Sequence, residues 1–133
     1  MIYLRINFDS IKPIYVQVAD AIEDDIVIGK LKEGEPVYSQ LVLSRELGIN
    51  PATAAKGINQ LVGKGILEKQ RGLSMIVAAG ARERLLIQRR DTEFWKAAEN
   101  LVAGAVKIGL SKEIVIEKIT DLFDSKGRKE THE

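Results

Sequence analysis

The stretch Gly48-Ile49-Asn50-Pro51-Ala52-Thr53 decides how this chain of 133 residues is read. Asparagine is a favoured helix N-cap, because its side-chain oxygen accepts from a backbone N–H of the first turn. Proline suits the first helical position, where its missing N–H would have no partner. A helix therefore begins at Pro51, directly after a glycine that stops whatever precedes it. Ala54, Ile58, Leu61 and Gly65 then recur at helical spacing as a buried stripe. That leaves Ala52, Thr53, Lys56, Asn59, Gln60, Gly63 and Lys64 on the other faces, so the outward side is polar and weakly basic.

Upstream, Ser39 is the N-cap of a short helix that carries Leu43 and Leu47 and ends at Gly48, with Gly34, Glu35 and Pro36 forming a turn before it. Pro13 opens an amphipathic helix over about 13–28, in which Ile14, Val18, Ala21, Ile22 and Ile26 repeat until Gly29. Earlier still, Ile2, Leu4, Ile6 and Phe8 alternate with Tyr3, Arg5 and Asn7. This is the period of a strand, available to pair with a later hairpin. Downstream, extended runs over 66–70 and 75–79 flank Arg71, Gly72, Leu73 and Ser74 and predict a β-hairpin. After Gly80 no strand pattern returns. Phe94, Ala98, Leu101, Ala105 and Ile108 mark one helical face, widened by Trp95, Val102 and Val106, until Gly109. Ser111 caps a last helix carrying Val115, Ile119, Leu122 and Phe123.

This order of elements gives the fold class: mainly α with a small β-hairpin, a winged helix-turn-helix over 1–79 followed by a short helical segment over 80–125 and a flexible polar tail over 126–133. A helix-turn-helix lays its second helix in the major groove of double-stranded DNA. Ser39 and Asn50 stand at the starts of its two helices, and the free N–H groups of Ala52 and Thr53 would receive a phosphate, helped by the helix dipole. The Thr53 hydroxyl would donate to phosphate, Lys56 would reach a phosphate or a guanine edge, and Asn59 lies on the same outward side. Arg71 would enter the adjacent minor groove, Gly72 lets backbone approach the sugar-phosphate, and Leu73 and Ser74 complete the wing. The formal net charge of +1 gives DNA binding no support. Its distribution does: residues 50–79 hold four basic residues and one acidic, a local +3, whereas Glu23, Asp24 and Asp25 gather elsewhere.

At these residues the chain resembles the GntR family of bacterial regulators, especially its small YtrA-like subgroup. The matching stretches are Pro13-Ile14-Tyr15-Val16-Gln17, Gly29-Lys30-Leu31-Lys32-Glu33-Gly34, Leu47-Gly48-Ile49-Asn50-Pro51-Ala52-Thr53, and Gly65-Ile66-Leu67 leading to Arg71-Gly72. The resemblance covers about 6–77 and implies a winged-helix head, dimerisation through the C-terminal part and control of nearby transport or metabolic genes. Departures are specific. Leu41 stands where the family usually has arginine, and Val37-Tyr38-Ser39 replaces the usual Leu-Pro-Ser. Pro51 and Ala55 occupy recognition-helix positions that commonly hold arginine, and Gly72-Leu73-Ser74 replaces Gly-Lys-Gly in the wing.

Phe94, Trp95, Leu101 and Val102, with Ile119, Leu122 and Phe123, carry more apolar surface than two helices alone can bury, which points to a homodimer interface. A small-molecule effector between these helices is a lesser use of the same faces. With no cysteine, disulfides and thiolate metal sites are excluded, and His132 as the single histidine excludes a multi-histidine metal cluster within one chain. No glycine-rich phosphate loop and no converging acid, base and nucleophile occur, so neither an enzyme nor a cofactor is expected. No signal peptide and no run of about 18 apolar residues is found, so the expected location is cytoplasmic, with no membrane span. The reading is a dimeric transcription regulator, a repressor of a two-fold symmetric operator. Its alternative is a winged-helix protein-interaction module, for which the missing basic contacts are the clue.

Overall fold

The computed structural model describes residues 5–70, 72 and 75–131, with the backbone alone for 128–131. The elements follow in the order α1 (Ile14–Val27), α2 (Gln40–Leu47), α3 (Pro51–Gly63), β1 (Leu67–Lys69), β2 (Met75–Val77), α4 (Ala81–Arg89), a π-helical turn (Arg90–Phe94), α5 (Trp95–Lys107) and α6 (Lys112–Thr131). Residues Met1–Arg89 make one compact unit and Arg90–Glu133 a second. The result is the mainly helical winged helix-turn-helix that the pattern of elements predicts.

In the first unit each helix contributes one apolar stripe. Val18, Ala19, Ile22 and Ile26 of α1 meet Ala54, Ile58 and Leu61 of α3, Leu43 closes from α2, and Ala81 and Leu85 from α4. Gly57 lets α3 lie close to α1: a Cβ there would stand 2.9 Å from the Tyr15 carbonyl oxygen and 3.1 Å from Val18 Cγ1. The spacing predicts Gly65 as the fourth member of the buried stripe. In the structure it is exposed, with φ +75° just beyond the helix, and Gly57 takes the buried place. Gly65 ends α3 because only glycine adopts that left-handed backbone without steric cost.

The hairpin pairs Leu67 with Val77, Glu68 with Ile76 and Lys69 with Met75 in an antiparallel ladder shorter than the extended runs suggest. Its outer edge is covered from within the head. The N–H groups of Gly34 and Val37 donate to the carbonyls of Val77 (2.8 Å) and Met75 (2.7 Å), and the Val77 N–H donates to Glu35 (3.0 Å), with a bridge at Pro36–Ile76. The opening alternation predicts a strand for this role, but residues 5–7 are not strand; Ile2 and Leu4 lie outside the described residues. The reason is the Gln17 side chain, which accepts from the Asn7 N–H (2.8 Å) and donates to the carbonyls of Asn7 (3.0 Å) and Lys12 (2.9 Å). It bends this segment onto α1 by taking the backbone groups a ladder would use.

In the second unit, Gly109 (φ +75°) ends the α5 segment, and Ser111 caps α6 by accepting from the Ile114 N–H at 3.2 Å. Helical backbone continues to Thr131, into the stretch whose polarity predicts a frayed tail. Only Ala105 of α5 is buried in this unit, among the described residues.

The packing at Gly57 sets a test. Alanine is favoured over glycine in a helix interior by up to about 1 kcal/mol, yet at Gly57 the Cβ meets backbone, and overpacking of this kind costs about 1–3 kcal/mol. Gly57→Ala is expected to lower the unfolding free energy in urea by about 1 kcal/mol or more. Gly63→Ala, with nothing within 4 Å of the added Cβ, should leave it unchanged or raise it.

Candidate nucleic-acid interface

The link between α2 and α3 is held by local chemistry. Ser39 caps α2, its Oγ accepting from the Val42 N–H at 3.1 Å. Gly48 takes a left-handed conformation with φ 65° and breaks the helix. Ser44, a residue that sequence spacing does not single out, then staples the turn: its Oγ donates to the Ile49 carbonyl at 2.6 Å, while the Ile49 N–H donates to the Ser44 carbonyl at 3.1 Å. Asn50 caps α3, accepting from the Ala52 N–H at 2.8 Å.

That cap corrects one expectation. The N–H groups of Ala52 and Thr53 are not free for a phosphate, since Ala52 donates to the Asn50 side chain and Thr53 to the Asn50 carbonyl at 3.0 Å. A strong N-cap satisfies the same orphan donors that an anion would use. Thr53 itself is half-buried.

Opposite the buried stripe of α3, Ala52, Lys56, Asn59 and Gly63 form an exposed row. Lys56 Nζ sits 4.1 Å from the centroid of the Tyr15 ring, a cation–π contact that keeps the ammonium beside the start of α1. Tyr15 is half-buried and acts as this platform. Asn59 borders a groove of about 190 Å3 between α3, the start of α2 and the hairpin, shared with Tyr38, Ser39, Gln40, Ala55 and Lys69. Gly72 is exposed in the turn between the strands with φ +74°. Arg71, Leu73 and Ser74, the other expected wing contacts, lie outside the described residues.

The second unit carries the other predicted set. Phe94 and Trp95 meet edge to face at 5.1 Å and both are exposed, as are Leu101, Val102, Leu122 and Phe123; Ile119 is the least exposed of the group. Two apolar grooves, of about 320 and 600 Å3, flank the seam between α5 and α6. Val102, Val106 and Ile116 line one, and Ile108, Ile114 and Leu122 the other. Among the described residues, no group of three or more acidic or histidine side chains is placed to hold a metal ion, and no helix is long and apolar enough to cross a membrane.

No family model matches the chain. The Bacillus subtilis HTH-type transcriptional regulator YhcF is 30% identical over 113 residues, covering 85% of the chain and 92% of the relative. The HTH-type transcriptional repressor YtrA of the same bacterium is 27% identical over 127 residues, 95% of the chain and 97% of YtrA. Among solved structures, a GntR family transcriptional regulator from Listeria monocytogenes matches with a TM-score of 0.68 at 27% identity, covering 86% of the chain and 98% of its own.

One buried charge bears on how α3 is held. Glu23 of α1 is 5% exposed, and its nearest cation is Lys64, at 3.9 Å, just past the end of α3. Burial raises the Glu23 pKa; Lys64 and Arg89 pull it down, and Asp20 and Asp24 push it up. The folded carboxyl therefore keeps its proton at a pH where the unfolded one has lost it. Its contribution to stability must fall as pH rises from about 4.3, the ordinary glutamate value, through the raised one. Glu23→Gln removes this titration. The stability of the native chain relative to that variant is expected to decline as pH rises above about 4 in urea unfolding, and a pH-independent difference would refute the assignment.

Proposed function

The chain belongs to the GntR family of HTH-type transcription regulators, in company with YtrA, and its relatives are regulators, not enzymes. From that premise we propose a cytoplasmic, sequence-specific repressor that binds double-stranded DNA as a homodimer on a two-fold symmetric operator. In this proposal residues 1–79 bind DNA and the exposed helices beyond Arg89 join the two copies, α4 being packed into the core of the first unit.

The observation that carries the reading is the row Ala52, Lys56, Asn59 and Gly63, exposed on a helix whose opposite side is anchored in the core. A rigid helix with a free polar face beside a hairpin is the arrangement that enters a major groove while a wing follows the backbone. Lys56, stacked on Tyr15, supplies its charge at the flank of that face and suits a phosphate contact, which fixes register without reading sequence. YtrA is named a repressor, which supports that direction of control.

Support for the homodimer comes from the second unit. Val102 and Phe123 are 57% and 74% exposed, and apolar side chains stand on both flanks of the α5–α6 seam. Such a surface is what a second copy buries, and a homodimer would bring two recognition helices to a two-fold symmetric site. The grooves are lined almost wholly by aliphatic groups, which suits helices of a partner copy better than a polar effector.

Two measurements follow. Lys56→Ala should weaken binding to all duplexes alike and reduce the slope of log K against log salt by about 1 in anisotropy titrations. A loss confined to one base position would instead make Lys56 a base reader. Val102→Glu should convert the dimer to a monomer in light-scattering chromatography and weaken operator binding by about 10-fold or more through lost bivalency. Thermal unfolding of the head should be preserved. A variant that stayed dimeric would move the interface away from this flank.

A further inference from the structure

On the proposal that α3 enters the major groove, we infer that this helix reads A·T pairs: the Asn59 amide engages one adenine, and the Ala52 methyl packs on the methyl of a thymine at another pair. The exposed row offers few groups for direct readout. Gly63 has no side chain, Ala52 has only a methyl and an N–H already held by Asn50, and Lys56 is stacked on Tyr15. Asn59 is thus the central group of that row with both a donor and an acceptor to offer. Among the described residues its amide has no hydrogen-bond partner, so it meets a base edge without breaking an existing bond.

The chemistry then selects the base. In the major groove adenine presents an N7 acceptor beside an N6 donor, which an amide matches with its own donor and acceptor. Guanine presents two acceptors, O6 and N7, and would leave the Asn59 carbonyl facing a carbonyl. Guanine suits a lysine or arginine, and the lysine of this face is turned to α1. Thymine carries the one major-groove methyl, and a small apolar side chain such as Ala52 complements it. Asn59 lies seven positions after Ala52, two helical turns or about 10 Å on one face, so the two meet different base pairs.

The test uses the full-length chain, the Asn59→Ala and Ala52→Gly variants, and a random duplex library. The native protein is expected to enrich a half-site with an adenine that Asn59→Ala no longer selects, the other positions being kept. At that adenine, 7-deazaadenine should weaken the native protein by about 10-fold or more and leave Asn59→Ala unaffected. Deoxyuridine in place of the contacted thymine should weaken the native protein by a few-fold and Ala52→Gly not at all. Unchanged base preference in Asn59→Ala, or a guanine at the position it controls, overturns the inference while leaving DNA binding intact. A native protein that enriches no sequence overturns the DNA-binding proposal and this inference with it. Both substituted positions are exposed, and a circular dichroism spectrum matching the native chain confirms that each variant is folded.

Discussion

The geometry of the head rests on the contact between Gly57 of α3 and the backbone of α1 at Tyr15. Helix separation is set by the side chains at the crossing point, and a glycine there lets one helix lie against the carbonyl of the other. Two consequences follow from this one approach. Ala54, Ile58 and Leu61 are drawn into the core, which turns Ala52, Lys56 and Asn59 outward. Lys56, the neighbour of Gly57, comes to lie over the Tyr15 ring. The same contact thus sets both the depth of the helix and the direction of its one exposed cation.

What the sequence makes legible is what local chemistry decides. Asn50-Pro51, Ser39 and Gly48 mark helix ends because a cap needs only a side chain and the adjoining backbone, and the observed α2 runs between Ser39 and Gly48 while α3 starts at Pro51. The exposed row on α3 is readable for a similar reason, since a period of 3.6 is a property of one helix. Contacts across the fold are harder. Nothing near Gly57 in the chain says that it faces a carbonyl about 40 positions earlier, and Gly65, which fits the apolar period, belongs instead to the turn. The alternation before Phe8 is real, yet the Gln17 amide takes the backbone groups that a ladder would need, and residues 34–37 cover the hairpin edge. The Ala52 and Thr53 N–H groups show the limit most plainly. The residue that identifies the helix start is the one that consumes them.

The second unit reverses the balance of the first. The head closes a core with a contribution from every one of its helices, whereas α5 and α6 meet along Leu101, Ala105, Val115 and Ile119 and leave apolar groups on either side of that seam. Two antiparallel helices have too little interior to bury stripes as wide as these. Polarity on the remaining faces, with Lys96 and Glu99 on α5 and Glu117 and Asp121 on α6, keeps the apolar surface confined to the flanks. That exposed apolar pattern is the surface on which the proposed homodimer rests.

The cations of the first unit are largely drawn into its own fold. Lys12, Lys64 and Arg89 pair with Asp20, Glu23 and Asp24 of α1, and Arg82 and Arg84 donate to backbone carbonyls. These cations are engaged within the fold and have less to offer a phosphate. With a formal net charge of only +1 over the whole chain, little counterion release, the source of sequence-independent affinity, would be available on a duplex. Weak non-specific binding is an advantage if base contacts carry the discrimination, because the competing sites of a genome are then poor competitors.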